Sequence, residues 1–175
     1  MMKIDRKRNL RVVAVGVISF LFPLSSFLLT TSCSSIDCPV NSLVLTQYQF
    51  TNRDGQSLAL VDTLSVSMTR KDGIDTLFNK GYNISTFYLP VSYSHPEDEL
   101  VLHFNGDSLN VKDTLWVKKE DFPHFESVDC NASFFHKLTD IRCTHNLLDS
   151  VAIINPSVTN DDTVIHVYLY PKTGD

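Results

Sequence analysis

Glycine and proline are scarce in this chain, 6 and 7 among 175 residues. That excludes collagen-like and low-complexity material. There is one tryptophan. There is no Gly-x-Ser-x-Gly, no His-Glu-x-x-His and no phosphate-binding loop, so no catalytic motif gives positive support to an enzyme. None of the 4 cysteines stands two residues from another, the spacing that makes a zinc reading strong. His124, Glu126, Cys130, His136, Cys143 and His145 are neighbours in sequence. Without that spacing they read as scattered surface and half-buried groups, with no metal or cofactor expected. The acidic run Glu97-Asp98-Glu99 reads as a solvated turn at the start of a strand rather than a calcium site.

What is present divides into two unlike segments. Lys3, Arg6, Lys7, Arg8 and Arg11 face one acid, Asp5, in the first eleven residues. An uncharged run, Val12 to Ser32, follows and ends in Leu28-Leu29-Thr30-Thr31-Ser32-Cys33. A basic start, an apolar centre and small residues before a boundary describe a secretory signal peptide. A membrane-spanning anchor competes on length, but Gly16, Pro23 and Ser25-Ser26 weaken a continuous helix. The cut falls before Cys33, giving a leader (1–32), a tether (33–41) and a body (42–172). Five of the 15 basic residues and one of the 20 acidic ones leave with the leader. The remaining 10 against 19 give a formal net charge of −9. A body this acidic has no electrostatic footprint for nucleic acid or anionic headgroups.

Alternation dominates the body. Leu64, Val66 and Met68 alternate with hydroxyl residues, and so do Leu100, Leu102 and Phe104 with Val101 and His103. Leu115 and Val117 flank Trp116, and Val164 to Tyr170 alternates likewise. Period two with β-branched and aromatic enrichment predicts strands. They are expected near 42–50, 57–61, 63–70, 75–79, 84–91, 99–105, 109–112, 114–119, 124–128, 150–154 and 163–170, with 131–148 undecided. Lys71-Asp72-Gly73 and Asn105-Gly106 supply turn chemistry between them. The expected fold is all-β: a single antiparallel β-sandwich, Ig-like or similar.

One tripeptide recurs above background. Asp62-Thr63-Leu64, Asp75-Thr76-Leu77, Asp107-Ser108-Leu109, Asp113-Thr114-Leu115, Asp149-Ser150-Val151 and Asp162-Thr163-Val164 all read Asp, hydroxyl, aliphatic. Ordinary residue frequencies give about one. Asp and Ser/Thr close turns by bonding the backbone, and the aliphatic residue opens the next strand. The tripeptide also resembles the acceptor for protein O-glycosylation in Bacteroidetes, which makes Thr63, Thr76, Ser108, Thr114, Ser150 and Thr163 candidate glycan sites.

The sequence around Cys33 resembles a bacterial lipoprotein signal, in which the cysteine becomes the acylated first residue. Ser32 matches the small position before it. Thr30 stands where leucine is usual, with Leu29 one place out of register. Cys38, Cys130 and Cys143 then remain in a compartment where disulfides persist, and three cannot all pair within one chain. Cys130–Cys143 would close a short loop and Cys38–Cys130 a long one.

The stretches Pro123-His124-Phe125-Glu126-Ser127-Val128-Asp129-Cys130, Phe134-Phe135-His136 and Leu148-Asp149-Ser150-Val151-Ala152-Ile153, with the opening Cys33-Ser-Ser-Ile-Asp-Cys38-Pro39, resemble a Bacteroidetes family. Its members are small outer-membrane lipoproteins catalogued as a domain of unknown function. The resemblance implies a Cys38–Cys130 disulfide with Cys143 spare. It carries no catalytic residues. The expected function is that of a non-enzymatic accessory or interaction module, lipid-anchored at the outer membrane and docked on a β-barrel or envelope assembly complex. The alternative is a cell-surface glycan- or nutrient-binding lipoprotein using Trp116 with Tyr82, Tyr88 and Tyr93.

Overall fold

A computed structural model describes residues 43–70, 73–106, 109–125, 127–130 and 132–172. These described residues all fall in one compact unit. Ten strands follow in chain order: β1 (Leu45–Phe50), β2 (Leu60–Arg70), β3 (Gly73–Ile84), β4 (Thr86–Pro90), β5 (Glu97–Asn105), β6 (Asn110–His124), β7 (Ser133–Cys143), β8 (Leu148–Ile153), β9 (Ser157–Val158) and β10 (Val167–Pro171). They make two sheets, ordered β4-β1-β10-β8 and β3-β2-β5-β6-β7-β9. Among the described residues there is no helix, and none long and apolar enough to cross a membrane.

The alternation that predicts the strands also builds the core. Leu64, Val66 and Met68 of β2, Leu100, Leu102 and Phe104 of β5, and Leu115 and Val117 of β6 point inward from the larger sheet. Tyr48 and Phe50 of β1, Phe87 and Leu89 of β4, and Val167 and Leu169 of β10 meet them from the smaller one. Burying each such side chain contributes about 1.5–3 kcal/mol. An aromatic bridge joins the sheets: Phe87 stacks on Tyr48 with centroids 5.2 Å apart, and Phe50 meets Phe104 edge-on at 6.2 Å. Offset and edge-on geometries suit the ring quadrupoles.

The all-β sandwich stands, with corrections in its parts. One pairing is parallel: β1 runs with β10, Tyr48 opposite Val167. These strands come from opposite ends of the described chain, so no hairpin fixes their relative direction. Of the run near 57–61 only Leu60 and Val61 are strand, continuous with the run near 63–70 in β2, and the runs near 109–112 and 114–119 form one strand, β6. Of the predicted strand at 124–128, His124 ends β6 and the described residues after it lie in a connection, while the undecided 131–148 holds β7 and the first residue of β8. β9 pairs with only two residues of β7, too short for periodicity to reveal.

The connectivity gives the sandwich two distinct ends. Registers place Glu97 beside Lys118 and Met68 beside Leu100. They also place Leu45 beside Pro90 and Ile153 beside Val167. The start of β1, the end of β4, the start of β5, the end of β6 and the start of β7 therefore share the end at which the described chain begins. The β5–β6 turn and the start of β8 lie toward the opposite end.

Candidate functional site

Four ionisable side chains converge inside the chain-entry end. Asp98 shares the inward parity of Leu100, Leu102 and Phe104, and Lys119 and Asp121 extend that of Leu115 and Val117. His136 lies directly across from Asp121 on β7. His136 and Leu138, two residues apart on β7, share the core side by alternation. The Lys119 side chain is fully enclosed and its ammonium lies 3.5 Å from Asp121 Oδ1. It also donates to the carbonyl of His95. His136 Nδ1 stands 2.6 Å from the same Asp121 oxygen. Asp98 accepts the amide of Ser92 at 3.1 Å.

The electrostatics follow from enclosure. Burial pushes the Asp98 carboxyl above its ordinary value of 3.8, partly offset by Lys119 and the Ser92 amide. Burial, and secondarily the charge on Asp98, push the Tyr48 phenol far up. Two acids thus share one lysine and one histidine in a low-dielectric setting, where leaving any charge unpaired is expensive. The solvated turn expected at Glu97-Asp98-Glu99 is therefore corrected: Asp98 is 5% exposed, because the middle residue of the run falls on the core parity of β5. This cluster binds its own members together and has the geometry of a structural network.

A second buried carboxylate organises the opposite end. Asp113 is fully enclosed. It accepts Thr144 Oγ1 at 2.7 Å, the amides of Asn146 and Leu147 at 2.8 Å and that of Leu148 at 2.9 Å. Burial alone would push its carboxyl up, but these donors outweigh it and hold the group below its ordinary value. Between the ends, His166 is buried and accepts the Gln47 amide at Nδ1 over 3.0 Å. Burial holds its ring below the usual histidine value, against opposing pulls from the Ser157 backbone and Asp161.

The sequence-predicted sites are dispersed. Cys33, Cys38 and Ser108 lie outside the described residues. Cys130, in the β6–β7 connection, is 8% exposed and does not stand as a free thiol. Cys143 is free, and burial, then Asp113 and Asp149, push its thiol up. Thr76, Ser150 and Thr163 are exposed; Thr63 and Thr114 are half-buried. Turn closure, the expected role of the tripeptide, is corrected at four of its positions: Asp62-Thr63-Leu64, Asp75-Thr76-Leu77, Asp113-Thr114-Leu115 and Asp149-Ser150-Val151 lie inside β2, β3, β6 and β8. Asp162-Thr163-Val164 lies in a connection, where Thr163 donates to Asp161, the residue before the tripeptide.

The proposed aromatic platform is not assembled. Trp116 lies on β6 beneath the Arg142 guanidinium at 4.8 Å. Tyr82 ends β3, Tyr88 belongs to the other sheet, and Tyr93 stacks on Phe134 at 5.0 Å. His124 stacks on Phe135 at 4.1 Å, and Glu126 lies outside the described residues. Among the described residues no three His, Cys, Asp or Glu side chains are grouped to hold a metal ion.

Against known proteins, residues 63–171 match the model of a family of unknown function, DUF6452. The chain belongs to the DUF6452 family. The matched span runs from Thr63 in β2 to the last residue of β10, so DUF6452 takes in the sandwich apart from β1 and the first residues of β2. No curated protein matches, and no solved structure does.

Proposed function

We propose that the chain is a bacterial lipoprotein of the outer membrane, acylated at Cys33. It carries no catalysis of its own and acts as an accessory or interaction module of a β-barrel or envelope assembly complex. The observation that carries this reading is the order of features: a basic start, an uncharged run closing on Ser32-Cys33, then a short tether to a sandwich of net charge −9. Several acyl chains hold such a body at a membrane, where one alone would not. Within the same reading, Cys38 pairs with Cys130, and the exposed Thr76, Ser150 and Thr163 are the glycan sites most open to a transferase. The dispersal of Trp116, Tyr82, Tyr88 and Tyr93 over separate strands favours a protein partner over a sugar platform.

Mass spectrometry of the mature amino terminus from the native host, combined with a cross-linked detergent pull-down of the full chain, tests the proposal. The expected result is an acylated Cys33 and recovery of a β-barrel or other envelope protein. An unmodified terminus downstream of Cys33 removes the anchor; recovery of no partner removes the accessory role.

A further inference from the structure

We infer that the chain-entry end of the sandwich is a lipid-facing surface, seated by exposed apolar side chains on the bilayer that holds the anchor. The inference rests on the proposed acylation of Cys33. Its starting observation is an asymmetry of exposure: Val61 and Tyr82, 73 and 68% exposed, lie toward the opposite end, but the larger group gathers at the chain entry. Leu43, Tyr93, Phe125 and Val128 are 61, 67, 60 and 98% exposed. Leu43 precedes β1, Tyr93 follows β4, and Phe125 and Val128 lie in the β6–β7 connection, all at this one end. Phe122, near the end of β6, is also exposed. Exposed apolar side chains gathered like this mark an interaction surface, whereas scattered ones need no explanation.

Covalent geometry selects the occupant. Ten residue steps separate Cys33 from Leu43, a reach of at most about 35 Å at 3.3–3.6 Å per residue. The body therefore cannot leave the bilayer, and the end it presents first is the one bearing these side chains. A Cys38–Cys130 bond would tighten the leash. Cys130 sits in the same connection as Phe125 and Val128, and five steps from Cys33 to Cys38 span at most about 17 Å. The surface carries aromatic and aliphatic groups on an acidic body, a chemistry suited to a zwitterionic interface and repelled by an anionic one. The network of buried Asp98, Lys119 and His136 with half-buried Asp121 lies inside this end.

The test uses the full chain, processed in its host and reconstituted into phosphatidylcholine vesicles, in a Trp116→Phe background. Phe125→Trp places a reporter at the chain-entry end and Val61→Trp one at the opposite end. Interfacial side chains sit about 5–10 Å into the headgroup boundary, so brominated phosphatidylcholine should remove about half of the Phe125→Trp emission and leave Val61→Trp unchanged. Equal quenching of both reporters, or of neither, with Cys33 shown by mass spectrometry to be acylated, overturns the inference alone. An unacylated Cys33 overturns the anchor and this surface together. Photo-cross-linking from position 125 to a protein in cells, without lipid quenching in vesicles, assigns the surface to a protein partner and also overturns it.

Discussion

Asp113 shows how much one side chain can organise. Its carboxylate gathers the Thr144 hydroxyl and three consecutive backbone amides, and so fixes the link between β7 and β8. Asp113→Ala leaves those amides without an acceptor in an enclosed site. The expected loss is about 3 kcal/mol, since an unsatisfied buried donor costs about 1–3 kcal/mol and bonds to a charge are the stronger kind. Urea unfolding measures it. The pH dependence has a definite sign. The folded carboxyl lies below its ordinary 3.8, so its contribution is complete above 3.8 and is lost as pH falls through the folded value. Asp113→Asn should flatten that acid limb while the rest of the pH profile stays. Lys119 makes the complementary case. Lys119→Ala removes the cation between Asp98 and Asp121 and should cost about 3–5 kcal/mol, the penalty of stranding a buried charge. Adding Asp98→Asn to Lys119→Ala should recover part of that loss, a coupling that a double-mutant cycle reads directly.

At the scale of elements, period two revealed the strands that meet the core on one face. It carried the inward parity of β2, β5 and β6 and the all-β class. It did not give their lengths, because turn-forming residues recur inside strands: Asp113-Thr114 lies within β6 and Asp75-Thr76 within β3. The Asp98–Lys119–Asp121–His136 network was legible in principle, since Asp98 and Lys119 continue core parities two residues beyond apolar neighbours. A charged residue at such a position reads as solvent-facing until the partner strand is known. The bends of β3 could not be foreseen at all. Its pairing with β2 shifts register between Leu64 and Val66, and Lys80 and Asn83 adopt positive φ of 50° and 52°. Ser65 Oγ accepts the Lys80 amide at 3.1 Å and stabilises this irregular stretch. The shifts lie on an edge strand, where irregularity discourages further pairing. Left-handed backbone costs a residue with a Cβ about 1–2 kcal/mol. Lys80→Gly should therefore raise the thermal midpoint and Lys80→Val lower it, as differential scanning calorimetry would record.

The whole molecule is polar in its construction. At one end lie the chain entry, Cys130, the exposed apolar side chains and the enclosed ionic network. Toward the other lie Asp113 and the candidate acceptors Thr63, Thr114 and Ser150, while Thr76 and Thr163 lie apart from them. A Cys38–Cys130 bond would staple the start of the compact unit to the β6–β7 connection across a loop of about 90 residues, and the chain-entropy relation gives such a loop about 4.6 kcal/mol of stabilisation. The cysteine inventory makes this countable. With Cys33 acylated as proposed and Cys38 bridged to Cys130, alkylation of the denatured, unreduced protein should label Cys143 alone, and reduction should release Cys38 and Cys130 as well. A fourth labelled cysteine after reduction would locate the error in the anchor. Labelling of Cys38 and Cys130 before reduction would locate it in the bridge. In the folded protein Cys143 should react slowly, because burial and the neighbouring Asp113 and Asp149 raise its thiol and the thiolate is the reacting form. Its alkylation should accelerate on Asp113→Ala, which removes one of those negative charges and loosens the segment next to it.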